Sequence, residues 1–244
     1  MFSRDVQSTV VIASYLDLGS SLKLATQILH EAQNSACIIV DDSPVDIYTS
    51  FEKQILEAKT QAKARLSISH SSLKAGRGRA VRRGLKLGLQ MFPSSDVFIE
   101  MDGDGSHRKQ DVLALLRHKG EAEIVIGSRY LESSHITGWS FGRKLLSRVL
   151  NFVLPRLLGI KVSDITNGLR RYSRRNVQRL LEHEPITDGF IYLSETLALL
   201  KEEGTPAEIP IVFENRSQGQ SSVGLGEMWD SFRGLLRILR IRKW

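Results

Sequence analysis

Cysteine is almost missing from this chain: Cys37 is the single one in 244 residues. That excludes an internal disulfide framework, and its place in an apolar run fits a reducing compartment. Long hydrophobic runs are missing too, since no stretch reaches the ~18–20 apolar residues that span a bilayer. The first residues, MFSRDVQSTVV, lack the basic-then-apolar pattern of a secretory leader. These absences predict a cytoplasmic protein, soluble or peripheral on the cytosolic face of a membrane. Aromatic residues amount to 7% and are not interleaved with basic ones, so a base-stacking nucleic-acid binder is not expected. Acid is short relative to base, 27 residues against 34. The resulting net charge of +7 calls for an anionic partner.

What is present is an alternation of short apolar runs and amphipathic stretches. Strands are predicted at Thr9–Ala13, Ala36–Val40, Arg65–Ser69, DVFIEM and EIVIGS. Between them lie patterns with apolar residues three and four apart, as in Leu22, Ala25, Ile28, Leu29 and Ala32. Repeated β–α units with near-continuous apolar strands imply an α/β fold, a mostly parallel sheet with helices on both faces. Beyond Tyr130 the pattern changes to an amphipathic helix, RKLLSRVLNFVLPRLLGI, which Pro155 is expected to end or kink. A further helix in ITDGFIYLSETLALLKEEG, a strand AEIPIVFEN, a Gly/Ser loop and a final helix from about Glu227 follow. There is no internal repeat and no long linker, so we divide the chain into a domain over 1–225 and a basic amphipathic helix over 226–244.

In such sheets ligands bind outside the carboxyl ends of the strands, and Asp41, Asp42, Asp102 and Asp104 all fall there. The run MDGDGSH could be a plain turn, because Asp and Gly tolerate unusual dihedrals. A calcium loop of the EF-hand type is excluded, since its sixth position is His107 and its twelfth Leu113. What remains is a pair of hard oxygen ligands, Asp102 and Asp104, suited to Mg²⁺ or Mn²⁺ shared with substrate phosphates. A lone histidine after the pair, His107, reads as a neighbour of the site or a surface residue and not as a ligand.

The ordered segments VDDSP, KAGRGRAVRRGL, MDGDGSH, GSRY, GWSFGRKLLSRVLNF, SDITNGLRRY, GFIYLSE and RSQGQSS extend the argument. Together, over roughly residues 9–225, they resemble the inverting family 2 glycosyltransferases, most of all dolichol-phosphate mannose synthases and bacterial polyprenyl-phosphate relatives. The resemblance implies the GT-A nucleotide-sugar-binding fold. It implies transfer of a hexosyl group, mannose from GDP-mannose favoured, to a polyprenyl or dolichyl phosphate. Carried over by position, Tyr15, Asp17, Asp41 and Asp42 would hold the nucleoside. Lys74, Arg170 and Arg216 would meet the donor phosphates, and Asp102, Asp104 and Ser106 the metal. Arg129, Arg143 and Ser147 would grip the acceptor phosphate, with Glu195 on the acceptor side. Asp104, Arg129 and Arg143 are the residues expected to matter most to catalysis.

A phosphate monoester is already anionic, so such a reaction needs orientation and charge management more than a general base. A hydroxyl acceptor is the alternative, and it would need Glu195 or Asp188 as base. Most of the dense group Arg170, Arg171, Arg174 and Arg175 is expected in solvent or at lipid headgroups. Two departures from the family pattern stand out: Leu16 where the first-strand segment carries Asn, and Ser222 where the late loop carries Lys. In the last helix Trp229, Phe232, Leu235, Leu236 and Leu239 form a stripe with arginines beside it, as does the helix from Arg143 to Ile160 in kind. Both suit a membrane surface near anionic lipid or packing on the domain, and a small membrane-anchoring partner is compatible with them.

Overall fold

The computed structural model describes residues 6–185, 187, 189, 191–214 and 225–240, with side chains in the last span from Arg233 onward. Strands β1 (Ser8–Ser14), β2 (Ser35–Asp41), β3 (Leu66–His70) and β4 (Val97–Asp102) form a parallel half-sheet in the order β3-β2-β1-β4. Helices α1 (Leu18–Glu31), α2 (Val45–Thr49), α3 (Glu52–Ala62) and α4 (Arg77–Met91) connect them. The side chains alternate between two cores, as period-two strands require. Val11, Ile38, Val40 and Phe98 face α4, while Val10, Ile12, Cys37, Ile39 and Met101 face α1 and α3. Cys37 is fully buried, and burial pushes its thiol up to about 12, which makes it an inert core residue.

After α5 (Lys109–Leu116) the sheet continues through β5 (Ile124–Ser128), and β6 (His135–Ile136) leads into α6 (Phe141–Leu158). Then comes β7 (Arg170–Ser173), which enters antiparallel between β4 and β5. Sequence pattern alone did not mark β7, because RRYS has no apolar run; Arg170 and Tyr172 point into the core, and Arg171 and Ser173 away. Helices α7 (Arg174–Glu182) and α8 (Tyr192–Leu199) follow, and every residue of α8 is buried. The segment expected as one strand is two: β8 (Ala207–Pro210) completes the main sheet beside β5, and β9 (Val212–Phe213) pairs with β6.

Pro155 neither ends α6 nor stands at its last residue; the helix runs on to Leu158. A proline this close to the C-terminus forfeits one backbone bond, and Gly159, in the left-handed region at φ 70°, closes the helix by donating to Arg156 O. The outward face of α6 is strongly apolar: Phe141 is 81% and Phe152 59% exposed, with Leu145, Leu146, Val149, Leu150, Val153 and Leu157 beside them. Helix α9 (Leu225–Arg240) packs Ile238, Leu235 and Leu239 against the core beside α8. Leu236, expected in that stripe, is exposed instead, because the inward face runs through 234, 235, 238 and 239. Gly234 makes the approach close; a Cβ there would lie 2.6 Å from Ile191 Cγ2 and 2.8 Å from Thr187 Cγ2.

Candidate functional site

Strand register builds the rim. Ser14 pairs with Asp41 and Ala13 with Asp102, so β1, β2 and β4 release their acidic turns at one edge. Because β7 runs the other way, its entry segment, residues 163–169, arrives at that same edge. Arg129, just past the end of β5, completes it.

On the first side of the rim, Asp41 is fully buried. Its Oδ1 accepts from Ser43 Oγ at 2.8 Å and its Oδ2 lies 3.1 Å from His70 Nδ1. His70 in turn stacks on Tyr48 at 3.9 Å between ring centroids. Asp42 accepts from Arg83 Nη2 at 2.5 Å and from the Ala75 amide at 3.3 Å. Lys74 Nζ stands 4.4 Å over the Tyr15 ring, which brings together two residues expected at the nucleotide. Leu16 adopts φ 65°, a left-handed conformation that Asn tolerates far better than Leu. The departure from the family pattern therefore carries a backbone cost. Asp17 stands just before α1, where its carbonyl accepts from the Ser21 amide and hydroxyl.

At the centre lies a cation that sequence reasoning passed over. Arg77 opens α4 inside the KAGRGRAVRRGL segment and lies, with 11% of its side chain exposed, between two carboxylates. Its Nε donates to Asp102 Oδ1 at 2.6 Å, Nη1 to Glu100 Oε2 at 3.4 Å and Nη2 to the Gly168 carbonyl at 3.0 Å. Glu100, fully buried, also accepts from Tyr172 Oη at 2.8 Å. Burial pushes the Asp102 carboxyl up, but the charge and hydrogen bond of Arg77 and the neighbouring His107 together outweigh it and hold the group far below the ordinary carboxylate range. Position 168 must be glycine: a Cβ would sit 2.4 Å from Arg77 Nη2 and 3.0 Å from Asp102 Oδ2. An arginine in a glycine-rich turn, two carboxylates two residues apart on one strand and a lone glycine in TNG were the available signals.

Asp104 is buried and its Oδ1 accepts from the Ser106 amide at 3.0 Å and hydroxyl at 2.6 Å. His107, thought a surface or neighbouring residue, is 2% exposed, and neither ring nitrogen has a hydrogen-bond partner among the described residues. The donor set of Asp102, Asp104 and Ser106, with an orphaned buried imidazole beside it, fits a hard or borderline divalent cation. Among the described residues no three His, Cys, Asp or Glu side chains already converge on a single point.

On the far side, Arg129 is buried and paired bidentately with Asp164, Nε to Oδ2 at 2.7 Å and Nη2 to Oδ1 at 2.8 Å. Nη2 also donates to Thr166 Oγ1 at 2.6 Å, so Nη1 is the nitrogen these bonds do not use. Arg129 lowers the Asp164 carboxyl against the upward push of burial. Trp139 holds two guanidiniums at its ring, Arg129 at 5.2 Å and Arg143 at 4.1 Å. Such cation–π contacts fix an arginine without neutralising it. Ser147 lies one turn along α6 and accepts from Tyr130 Oη at 2.6 Å, so Arg129, Arg143 and Ser147 do gather in one region. Asp164 and Trp139 were inside quoted motifs but were not singled out.

Arg170 is a correction. Expected at donor phosphates, it is fully buried, with Nε, Nη1 and Nη2 donating to the carbonyls of Asn167, Leu193 and Ile165. It braces the rim segment from beneath, and its complete burial keeps it from a ligand at the rim. Of the cluster expected mostly in solvent, only Arg175 is exposed, pairing with Glu203, while Arg171 and Arg174 are half-buried and donate to the carbonyls of Ala122 and Ser95. Glu195 Oε2 accepts from the Thr187 amide at 3.0 Å and hydroxyl at 2.5 Å. Arg216, Ser222 and Asp188 lie outside the described residues.

Residues 9–181 match the glycosyl transferase family 2 domain. The polyprenol monophosphomannose synthase of Mycolicibacterium smegmatis is 30% identical over 90% of this chain and 82% of its own length. The undecaprenyl-phosphate mannosyltransferase of Micrococcus luteus is 27% identical, over 96% of this chain and 94% of its own. Among solved structures, glucosyl-3-phosphoglycerate synthase from Mycobacterium tuberculosis, complexed with Mn²⁺, UDP and glucosyl-3-phosphoglycerate, superposes with a TM-score of 0.64. It is 17% identical, covering 97% of this chain and 79% of that one. A mannosyltransferase from Pyrobaculum calidifontis with GDP-Man and Mn²⁺ gives 0.57 at 14% identity, covering 95% and 64%. These two likenesses concern the GT-A fold.

Proposed function

The chain belongs to glycosyl transferase family 2 and is a glycosyltransferase, and from that premise we propose its reaction: transfer of a hexosyl group, mannose favoured, from a nucleotide sugar to a polyprenyl phosphate. The observation that carries the choice of a phosphate acceptor is the pair of arginines, Arg129 and Arg143, gathered on Trp139 beside Ser147. Two cations and a hydroxyl in one place suit a phosphate monoester. In this reading one acceptor oxygen attacks the anomeric carbon with inversion, and the bond from that carbon to the nucleoside diphosphate breaks. The bonding pair leaves with the diphosphate, and no proton has to be removed from the nucleophile. Arg129 and Arg143 orient the acceptor and offset the repulsion between two anions. Asp41, Asp42, Tyr15, Asp17 and Lys74 hold the nucleotide, joined by Arg216. Asp102, Asp104 and Ser106 would hold a divalent cation, Mg²⁺ or Mn²⁺, which would supply positive charge for the departing diphosphate. Of the two bases that a hydroxyl acceptor would call on, Glu195 has Oε2 engaged twice by Thr187, and Asp188 lies outside the described residues.

No helix among the described residues is long and apolar enough to cross a membrane. Helix α6 explains how a lipid phosphate reaches the site. It turns Asn151 and Leu154 inward and carries Ser147 at the acceptor region, while its other face presents apolar residues with Arg148 and Arg156 exposed among them. That face lies on the cytosolic surface of an anionic membrane in our reading. Within 226–244, the segment we assign as a second basic helix, α9 docks on the rest of the chain through Ile238 and shows Arg233, Leu236, Arg237 and Arg240 outward.

The test is a transfer assay with a short polyprenyl phosphate, Mg²⁺ or Mn²⁺, and GDP-mannose, UDP-glucose and UDP-N-acetylglucosamine offered in parallel. Metal-dependent formation of one glycosyl phospholipid, absent in Asp104→Ala, is expected. Transfer to a soluble hydroxyl acceptor that survives Arg143→Ala would refute the phosphate reading.

A further inference from the structure

We propose that His107 is a nitrogen ligand of the site's divalent cation, sharing it with Asp102 Oδ2, and that it biases the site towards Mn²⁺ over Mg²⁺. This rests on the nucleotide-sugar reading above and goes beyond the acidic pair.

The imidazole is 2% exposed, and among the described residues neither Nδ1 nor Nε2 has a hydrogen-bond partner. A neutral ring carries one donor and one acceptor, and leaving both unmet in the interior is costly unless something else is bound there. The ring is not free to turn outward in search of water. Its backbone bridges to Phe213, and it meets the Phe213 ring edge-on at 5.3 Å and 84°. In that orientation Nε2 lies 3.7 Å from Asp102 Oδ2, too far for a hydrogen bond. Two neighbouring ligands that each sit about 2.1 Å from one octahedral cation are about 3 Å apart, so a bound cation would draw this pair closer by about 0.7 Å.

Asp102 is fixed to match. Arg77 takes Oδ1 at 2.6 Å, and the bare Cα of Gly168 leaves Oδ2 uncovered on that side. The carboxylate therefore presents one oxygen towards the imidazole and has little freedom to do otherwise. The other coordination positions fall to Asp104, Ser106, diphosphate oxygens and water, as is usual for a cation bound with substrate phosphates. An all-oxygen set suits Mg²⁺, whereas an imidazole nitrogen favours borderline transition metals. One nitrogen among oxygens shifts preference towards Mn²⁺ without excluding Mg²⁺.

The experiment is pulsed electron paramagnetic resonance of Mn²⁺ bound to the full chain with GDP, and in a second sample with UDP. Phosphorus coupling reports the diphosphate on the metal, and nitrogen coupling reports a histidine. We expect both in the wild-type protein, with the nitrogen coupling changing when histidine is supplied in isotopically labelled form. His107→Gln should lose the nitrogen coupling, keep the phosphorus coupling and bind Mn²⁺ about tenfold more weakly, with Mg²⁺ affinity little altered. The labelled wild-type sample needs no variant, so a misfolded His107→Gln does not blunt the test. Bound Mn²⁺ with phosphorus but no nitrogen coupling overturns the inference alone and makes His107 a mere neighbour of Asp102. Absence of bound Mn²⁺, or of phosphorus coupling, overturns it together with the nucleotide-sugar reading.

Discussion

Replacing Asp164 by Asn should be among the most damaging single changes to this protein, and its effect is open to calculation. Asp164 is fully buried and accepts from the Arg129 amide, Nε and Nη2 at 3.0, 2.7 and 2.8 Å. It also accepts from Thr166 N and Oγ1, both at 3.3 Å. The Asn variant keeps the shape but turns an acceptor oxygen into a donor amide facing a guanidinium. Arg129 then becomes a buried cation without a counter-charge. Breaking one side of a buried pair costs about 3–5 kcal/mol. With a urea dependence of about 3 kcal/mol per molar, the unfolding midpoint should fall by about 1 M or more. The acid limb gives a second check. The Asp164 carboxyl is lowered in the folded state, so the stability it contributes is complete above the unfolded carboxylate value. It is lost as pH falls through the lower folded value. Wild type and variant should thus differ fully near neutrality and converge in strong acid. A midpoint shift below about 0.3 M, or a difference that does not depend on pH, would refute the claim that this pair holds Arg129 in place.

Gly168→Ala pushes a methyl into Arg77 and Asp102, so nucleotide-sugar turnover should collapse while far-ultraviolet circular dichroism stays native; unchanged turnover would show that Asp102 has room to spare. Leu16→Asn should relieve the left-handed backbone at φ 65° at a position already 51% exposed. A gain of about 1 kcal/mol, read as a rise of about 2–4 °C in Tm, is expected, and a fall in Tm would sink the argument. Val149→Glu on the outer face of α6 should abolish co-flotation with anionic phospholipid vesicles yet leave thermal stability intact; undiminished flotation would remove α6 from the membrane-facing surface.

Much of the architecture is legible in short windows. Apolar runs of strand length marked β1, β2, β4 and β5, and three-and-four spacing marked α1 and α4, because burial and periodicity are properties of a few adjacent residues. Turn chemistry did the same for Asp41, Asp42, Asp102 and Asp104, which the register then set along one edge. The strand β7 escaped because its interior positions hold Arg170 and Tyr172, whose burial makes sense only once Glu100 and the carbonyls of Asn167, Leu193 and Ile165 surround them.

The sequence by itself determined which residues could bear charge at the strand ends, and in what order along the chain. Only the tertiary structure decided which charges meet. Arg77 reaches Gly168 across 91 residues of sequence, and Arg129 finds Asp164 across 35. Ion pairing depends on distance in space and on the low polarity that burial creates, and neither exists until the sheet has closed over both partners. That is why two arginines of like appearance, Arg170 and Arg143, end so differently: one sealed among carbonyls, the other held against Trp139 at the edge of the site.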